Sequence, residues 1–434
     1  MLLLGGRVHL RRRHQHHFAH AAASAAAADG TKEASASSET MAQSESNSGR
    51  TRVREAIPGL RLGRFSPGKL NSITDVPGVL VDVTTIQSED KNVNSGLTTI
   101  LPRRDWHKYC GFSGVFRFNG CGELTGSHWI EETGLITSPI LLTSTGTVGD
   151  AYRGIYEYCY RYHLDDEGEM PLFIVPIIGE TYDGFLSDHS RFPLTPQHVI
   201  DSIKNASSDA VPEGCTGGGT GMICHRFKAG TGSSSRIVKG VDEFGNEVDY
   251  TVGVLVQANY GGADTFHVGG VPVGAILKEE REAVQKGEIK TSEKEVRKDG
   301  SIIIAIATDA PLLPIQLQRL AKRATVGLAK VGGYGNNTSG DIFLAFSTAN
   351  KIPYQEISMS GQVSRPVNPL QPSPLTVQMA DNDSINGLFE SAADATEEAI
   401  YNAIFMGTSM TGFKGRTVEA ADIRKIKAIV EKRL

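Results

Sequence analysis

The chain has 434 residues, of which 39% are hydrophobic and 21% charged, and its formal net charge at pH 7 is -5. This apolar content suffices for one large core or two ordinary ones, so most of the chain is predicted to be globular. The slightly acidic balance provides no basic surface for a phosphate backbone, and we predict no nucleic-acid partner. The longest apolar runs, such as residues 302–307, are far shorter than the ~20 residues of a membrane helix, so we predict no membrane association.

The first 55 residues differ in composition from the rest of the chain. They contain Arg7, the run Arg11 to Arg13, a histidine cluster, an alanine-rich run and no acidic residue before Asp29. This composition is typical of an organellar transit peptide, but a disordered tail without a targeting role has it too. We therefore expect a cytoplasmic or mitochondrial protein with a folded domain over residues 56–434. On this interpretation, deleting residues 1–55 leaves folding and activity intact.

The five cysteines form no CxxC pair and suggest no disulfide framework, which favours a reducing compartment. Cys215, Cys224 and His225 could suggest zinc, but a fourth ligand at a regular spacing is missing. We predict no metal and no organic cofactor. The glycine-rich segments 217–221 and 228–236 resemble anion-binding loops, but neither contains the GxxxxGK[ST] pattern of a nucleotide site.

After the tail, short apolar runs alternate with glycine-rich turns. Five of the runs predict buried strands: Gly78 to Thr84, Pro139 to Thr143, Leu172 to Ile178, Tyr250 to Gln257 and Ser301 to Ala307. Helical spacing of apolar residues predicts one helix over residues 314–328 and another over 385–404. The charge-dense stretch 278–299 is predicted to be a solvent-exposed insertion. No linker divides residues 59–434, which indicates one compact α/β unit.

The segment with the clearest chemical signal is GGYGNNTSGDIFLAFSTAN at residues 332–350. Its first half predicts a tight turn, and its second half predicts a strand that begins at or just after Ser339. A hydroxyl at such a junction can attack the carbonyl of Thr338 and cut the chain. The new N-terminal Ser339 would then carry both a nucleophile and an α-amine with a pKa of ~8 that can act as its base. A β-hairpin turn with an ordinary serine has the same pattern.

Six sequence blocks occur in one order along the chain. They are ITDVPGV from Ile73, GELTGSHWIEETG from Gly122, GGGTGMICHRFKAGTGSSSR from Gly217, YTVGVLVQANYG from Tyr250, ATDAPLLPIQLQRLAKRA from Ala307 and SGDIFLAFSTAN from Ser339. Over residues 59–412 the chain resembles the self-processing L-aminopeptidase/D-esterase and β-peptidyl aminopeptidase family of the DmpA and BapA type. The resemblance implies a four-layer αββα sandwich as in N-terminal-nucleophile hydrolases. It also implies that Ser339 is the nucleophile.

The resemblance further implies a homo-oligomer of processed subunit pairs and a small peptide or amide substrate with a free N-terminus. Short L-peptides, D-alanyl amides or esters, and β-peptides are all open. The family places two polar or acidic side chains about forty residues past the nucleophile, and their counterparts here are Asp381 and Asp383. Because acidic residues just before a helix are also ordinary N-caps, that role stays open for both.

Two more residues are candidates for binding substrate. Asn259 ends a predicted strand, where its amide could donate to the oxyanion of a tetrahedral intermediate, although asparagine is also common in turns. Glu123, in the GELTG block, could bind the substrate's ammonium group, or it could be a surface residue. Neither alternative is decided by the sequence.

The residue before Ser339 leaves two other functions open. Family members commonly have glycine or asparagine there, whereas this chain has Thr338 after Asn337. Cleavage after Asn337 would make Thr338 the nucleophile, as in a self-cleaving N-acyltransferase. The remaining alternative is a scaffold protein of the same fold that does not cut itself.

Overall fold

The computed structural model describes residues 49–284, 300–354, 367–368 and 370–434. Residues 50–434 form one compact unit. The strands are β1 (Leu80–Gln87), β2 (Asn94–Leu101), β3 (Tyr109–Gly120), β4 (Leu135–Ile136), β5 (Ile140–Ser144), β6 (Ile177–Thr181), β7 (Ile223–Cys224), β8 (Phe227–Lys228), β9 (Thr231–Val241), β10 (Glu247–Asn259), β11 (Ser301–Thr308), β12 (Gly340–Ser347), β13 (Ile352–Pro353), β14 (Met410–Thr411) and β15 (Thr417–Val418). The α-helices are α1 (Val53–Ala56), α2 (Ser127–Thr133), α3 (Val148–Tyr162), α4 (Pro196–Asn205), α5 (Val273–Val284), α6 (Pro314–Ala321), α7 (Ala324–Val331), α8 (Asn386–Phe405) and α9 (Ile423–Glu431).

Two β-sheets pack face to face in the centre of this unit. One has four strands in the order β1-β2-β5-β6, and the other has seven, in the order β13-β3-β12-β11-β10-β9 with β4 paired to β3. In the larger sheet, β11 and β12 run parallel, while β10 pairs antiparallel with β11 and β3 with β12. The starts of β11 and β12 therefore lie beside the ends of β10 and β3. Together these strand ends form one edge of the sheet.

Strand β11 shows why its sequence is continuously apolar. Its even-numbered positions from Ile302 to Ile306 pack in the core with the helices, and its odd-numbered positions from Ile303 to Ala307 pack against the four-stranded sheet. Side chains alternate between the two faces of a strand, so a strand that packs against an apolar core on both faces can be apolar at every position.

Helices cover both outer faces of the stacked sheets. The core outside the seven-stranded sheet contains residues of α5 to α9, and the core outside the four-stranded sheet contains residues of α3 and α4. The predicted four-layer αββα sandwich is confirmed. In the part of the chain that the structure describes, no helix is long and apolar enough to cross a membrane.

Most predicted elements occur, with three corrections. The strand predicted over residues 172–178 is β6, which begins only at Ile177. The helix predicted over residues 314–328 is interrupted between α6 and α7, although its apolar spacing continues through the break. The stretch 278–299 is not wholly an insertion, because it begins inside α5; residues 285–299 lie outside the described part.

The folded unit begins earlier than expected. Arg52 forms an ion pair with Glu213 at 2.8 Å, and Arg54 forms one with Glu398 at 2.7 Å. Val53 is fully buried in the core outside the seven-stranded sheet. Residues 50–55 therefore belong to the folded unit and not to a disordered tail, and residues 1–48 lie outside the described part.

Candidate active site

Ser339 lies directly behind an exposed turn. Its N–H donates to the carbonyl oxygen of Asn336 at 2.9 Å, and the side-chain amide of Asn119, near the end of β3, donates to the same oxygen. Asn337 and Thr338 are exposed, whereas Ser339 is 4% exposed. Strand β12 begins at the next residue. The turn-to-strand junction predicted from the sequence is therefore present, with the serine on its buried side.

The hydroxyl of Ser339 contacts two oxygen acceptors. One is the carbonyl oxygen of Gly300, and the other is Oδ1 of Asp341, at 2.7 Å. Gly300 precedes β11 and must be glycine, because a Cβ there would lie 1.7 Å from the carbonyl oxygen of Asn259. The parallel pairing of β11 and β12 thus brings the starts of two strands together around one hydroxyl.

Asp341 is a buried carboxyl that the sequence analysis did not single out. Burial, which disfavours the charged form, raises its pKa to about 6, and hydrogen bonds from Ser339 and from the backbone N–H of Ile302 lower it in part. The SGD motif could have indicated that Asp341 lies beside Ser339, because side chains two residues apart in an extended chain project to the same side. Asp341 therefore belongs to the candidate site.

Asn259, the last residue of β10, lies at the same edge of the sheet, opposite Ser301 at the start of β11. Its side-chain amide is buried, with Nδ2 donating to the carbonyl of Tyr182 at 3.0 Å and Oδ1 accepting from the N–H of Ile223 at 3.0 Å. These bonds fix the orientation of the amide. An amide nitrogen has two hydrogens, so Nδ2 retains a second N–H beyond the bond to Tyr182.

A cavity of about 310 Å³ opens beside this edge. Asn259 and Gly300 form part of its wall, so it adjoins the residue whose carbonyl accepts the Ser339 hydroxyl, while Ser339 itself is not part of the wall. The rest of the wall is largely apolar, with two charged residues. It consists of Phe185, Ile223, Arg226, Tyr260, Gly261, Thr417, Val418 and Glu419. A largely apolar cavity with a few polar groups is typical of a small-molecule site.

The buried glutamate near the nucleophile is Glu180 and not Glu123. The side chain of Glu123 is exposed, and its backbone N–H donates to Oε1 of Glu180 at 3.0 Å. Glu180 also accepts the hydroxyl of Thr145, and burial raises its pKa. A Cβ on Gly122 would lie 3.5 Å from Oε1 of Glu180 and 3.0 Å from Cα of Gly340, so this carboxyl is close to the start of β12.

The structure does not place Asp381 and Asp383 with Ser339. Both are exposed, and Oδ1 of Asp381 accepts the N–H of Asp383 at 3.1 Å, just before α8. The N–H of Ala380 donates to the carbonyl of Pro311, which follows β11, at the opposite end of the parallel pair from Ser339. Eight residues of β12 at ~3.3 Å each separate the two ends by roughly 25 Å. Within one chain both aspartates therefore lie away from Ser339, so the structure does not support their catalytic assignment. Asp381 caps the 3-10 turn Asn382–Ser384, and Asp383 lies inside that turn.

The possible zinc ligands have other roles. Cys224 is buried in the apolar core, and Nδ1 of the buried His225 lies 2.9 Å from the carbonyl oxygen of Gly262. Within the described ranges, no group of three or more His, Cys, Asp or Glu side chains could hold a metal ion. The absence of a cofactor remains a prediction.

The sequence profile of peptidase family S58 matches residues 71–418. The β-peptidyl aminopeptidase BapA of Sphingosinicella microcystinivorans is 38% identical over 379 residues, which cover 84% of this chain and 89% of BapA. The chain belongs to peptidase family S58. A second BapA, from Sphingosinicella xenopeptidilytica, is 36% identical over 360 residues.

Solved structures agree with this S58 assignment. A Burkholderia sp. β-aminopeptidase superposes with a TM-score of 0.74 at 38% identity, covering 88% of this chain and 99% of its own. The L-aminopeptidase D-Ala-esterase/amidase of Ochrobactrum anthropi gives 0.72 at 37% identity, covering 88% and 98%. The latter is described as a prototype serine aminopeptidase with a variant of the Ntn hydrolase fold. These likenesses confirm the prediction of an aminopeptidase of the N-terminal-nucleophile class.

Proposed function

We propose that this S58 peptidase cuts itself between Thr338 and Ser339 and then uses Ser339 to hydrolyse the amide bond after the first residue of short peptides. The observation that carries the proposal is the position of the Ser339 hydroxyl, buried behind an exposed turn and 2.7 Å from a carboxyl oxygen. Thr338 is exposed, which favours Ser339 over Thr338 as the nucleophile.

Turnover would follow the chemistry of an N-terminal serine. The free α-amine of Ser339 accepts the hydroxyl proton, Oγ attacks the substrate carbonyl, and water releases the acyl-enzyme. The second N–H of Asn259 is the candidate oxyanion donor, a contribution of ~3 kcal/mol when correctly aimed. Glu180 is the candidate partner of the substrate's ammonium, because it is the buried carboxyl close to the start of β12.

The substrate class follows from the relatives and the cavity. The relatives are named for β-peptides, L-peptides and D-alanyl esters and amides. We infer a preference for a small or medium apolar first residue, because the cavity of about 310 Å³ has mainly apolar walls. Comparing kcat/KM for p-nitroanilides of β-homoalanine, L-alanine, D-alanine and L-glutamate tests this inference. A preference for L-glutamate would contradict it.

The decisive experiment is intact-mass analysis with N-terminal sequencing of the smaller fragment. We expect fragments 1–338 and 339–434, the second beginning Ser-Gly-Asp. The Ser339→Ala variant should remain one chain, folded and without peptidase activity, while Ser339→Cys should retain cleavage because a thiol can make the same attack. A fragment that begins with Thr338, or an active uncut wild-type enzyme, would contradict the mechanism.

We also infer a homo-oligomer of processed pairs, on the resemblance to the family alone. Light scattering coupled to size-exclusion chromatography measures its mass, and a monomeric processed pair would refute the inference.

The location of the protein is proposed to be mitochondrial or cytoplasmic. Microscopy of a fluorescent fusion carrying residues 1–55 distinguishes the two.

A further inference from the structure

Self-cleavage needs a base that turnover does not need. In the cut enzyme the free α-amine of Ser339 can accept the hydroxyl proton. In the uncut chain that nitrogen belongs to the peptide bond with Thr338, where its lone pair is delocalised and it cannot act as a base. Another group must therefore take the proton when Ser339 attacks for the first time.

Two acceptors are within hydrogen-bond reach of the hydroxyl, and only one of them can take its proton. A serine hydroxyl has a single hydrogen, which it can donate to the Gly300 carbonyl or to the Asp341 carboxylate. A carbonyl oxygen accepts a hydrogen bond but does not become protonated near neutral pH, whereas a carboxylate does. Across the described segments, no histidine forms a hydrogen bond with Ser339.

We propose that Asp341 is the general base of self-cleavage in this chain. The inference rests on the proposed function, because it assigns a residue to a step of that function. Oδ1 of Asp341 removes the proton as Oγ forms a bond to the Thr338 carbonyl carbon. The C–N bond then breaks, and the Asp341 carboxyl returns the proton to the leaving nitrogen of Ser339. Water hydrolyses the resulting ester and leaves Thr338 with a carboxylate and Ser339 with its hydroxyl and amine.

The surroundings of Asp341 suit this role. Its carboxyl is buried, and with a pKa of about 6 it is mostly ionised at pH 7 but more basic than an ordinary aspartate. Among the described residues, the ionisable side chains of the elements packed at this edge include Tyr260 after β10, Glu180 in β6, and Cys121, whose backbone N–H donates to the Ser339 carbonyl.

The hydrogen bond between Ser339 and Asp341 has a different role in self-cleavage from its role in turnover. Once the peptide bond is cut, the α-amine can accept the proton, and Asp341 lies beside the new ammonium group as its counter-ion. Asp341 should therefore limit the rate of processing through proton transfer. Its effect on turnover, in contrast, would come through the position and pKa of the amine.

The test compares full-length variants made by cell-free translation at pH 7.5, stopped after minutes and followed on denaturing gels. Asp341→Asn keeps the shape and a hydrogen-bond acceptor but cannot take up the proton, and we expect processing to slow at least about 100-fold. Asp341→Glu, which restores a carboxylate, should recover part of the rate. The matched control is Asp309→Asn, a half-buried carboxyl that accepts the N–H of Thr251 at the other end of β11 and should process normally.

A pH series provides a readout that a structural role would not change. In the wild type, the processing rate should fall about tenfold between pH 7 and pH 5, as expected for protonation of one base. This fall should be absent from the residual cleavage of Asp341→Asn. If that variant does not fold, as judged by circular dichroism, the wild-type series and Asp341→Glu decide instead.

Each outcome is decisive. Normal processing of Asp341→Asn while Ser339→Ala stays whole overturns the role of Asp341 but leaves the proposed function intact. A cut Ser339→Ala chain overturns both. A wild-type rate that does not change between pH 7 and pH 5 also overturns the role of Asp341. Slow, pH-independent processing of Asp341→Asn supports it.

Discussion

The acidic side chains considered for the active site fall into two groups by their exposure to solvent. Glu123 and Asp383 are exposed, whereas Glu180 and Asp341 are buried beside the start of β12. Burial raises the pKa of both buried carboxyls because it removes water from the charged form. A desolvated carboxylate also interacts more strongly with a nearby cation or hydroxyl. Chemical roles are therefore more plausible for the buried pair.

Glu180 and Glu123 give a matched test of ammonium recognition. We expect Glu180→Gln to raise KM about 10- to 100-fold with a smaller change in kcat, because a hydrogen bond to a charged group contributes about 1.5–3 kcal/mol. Glu123→Gln should change neither constant, since that side chain is exposed. Steady-state kinetics of the processed variants measures both. If Glu123→Gln alone raises KM, the original assignment of Glu123 is restored.

At the scale of elements, the short helix α1 and the residues before it hold the N-terminus to the core. Arg52 donates to the backbone carbonyls of Leu70, Asn71 and Ser233 as well as to Glu213. Burial raises the pKa of Glu213 to about 7, and the charge of Arg52 opposes that rise. A buried carboxyl that loses its partner is costly, so this segment contributes to the stability of the fold.

A pair of truncations tests that contribution. Deleting residues 1–48 should leave the melting temperature unchanged, because every described contact is retained. Deleting residues 1–55 removes Arg52, Val53 and Arg54 and leaves two buried glutamates with fewer partners, at a cost of about 3–5 kcal/mol. We expect a melting temperature lower by about 10 °C, or insoluble protein. Equal stability of the two truncations would show that the segment contributes nothing.

On the scale of the whole molecule, the proposed cut separates the covalent chain without separating the fold. Strand β12 lies between β3 and β11 in the larger sheet, so the fragment that begins at Ser339 supplies a central strand. It also supplies α8, which packs on β9 and β10 of the other fragment and is buried over most of its length. The interface between the two fragments is thus an ordinary protein core.

This arrangement predicts that the fragments stay together after processing. Size-exclusion chromatography and native mass spectrometry should show both fragments in one particle, while a denaturing gel shows two bands. Separation should require unfolding by denaturant, because central strand pairing and the α8 core would both be lost. Dissociation of the fragments in native buffer would contradict the prediction.

Local sequence patterns determined several individual elements of this protein. The continuous apolar run of β11, the apolar stripe of α8 and the Gly-Asn turn before Ser339 each depend on neighbours in sequence, and each of these elements was predicted correctly. The spacing of two residues also places Asp341 on the same side as Ser339. The family resemblance supplied the sandwich and the nucleophile.

Only the tertiary structure decided which distant residues meet. Parallel pairing of β11 and β12 brings Gly300 to Ser339, and the same pairing carries Asp381 and Asp383 to the opposite end of the sheet. Burial of Glu180 likewise results from contacts between β6 and the loop after β3, which are far apart in sequence. Spacing along a chain fixes which side chains share a face of one element. The distance between two elements is set by strand order and direction, which the packing of the whole core determines.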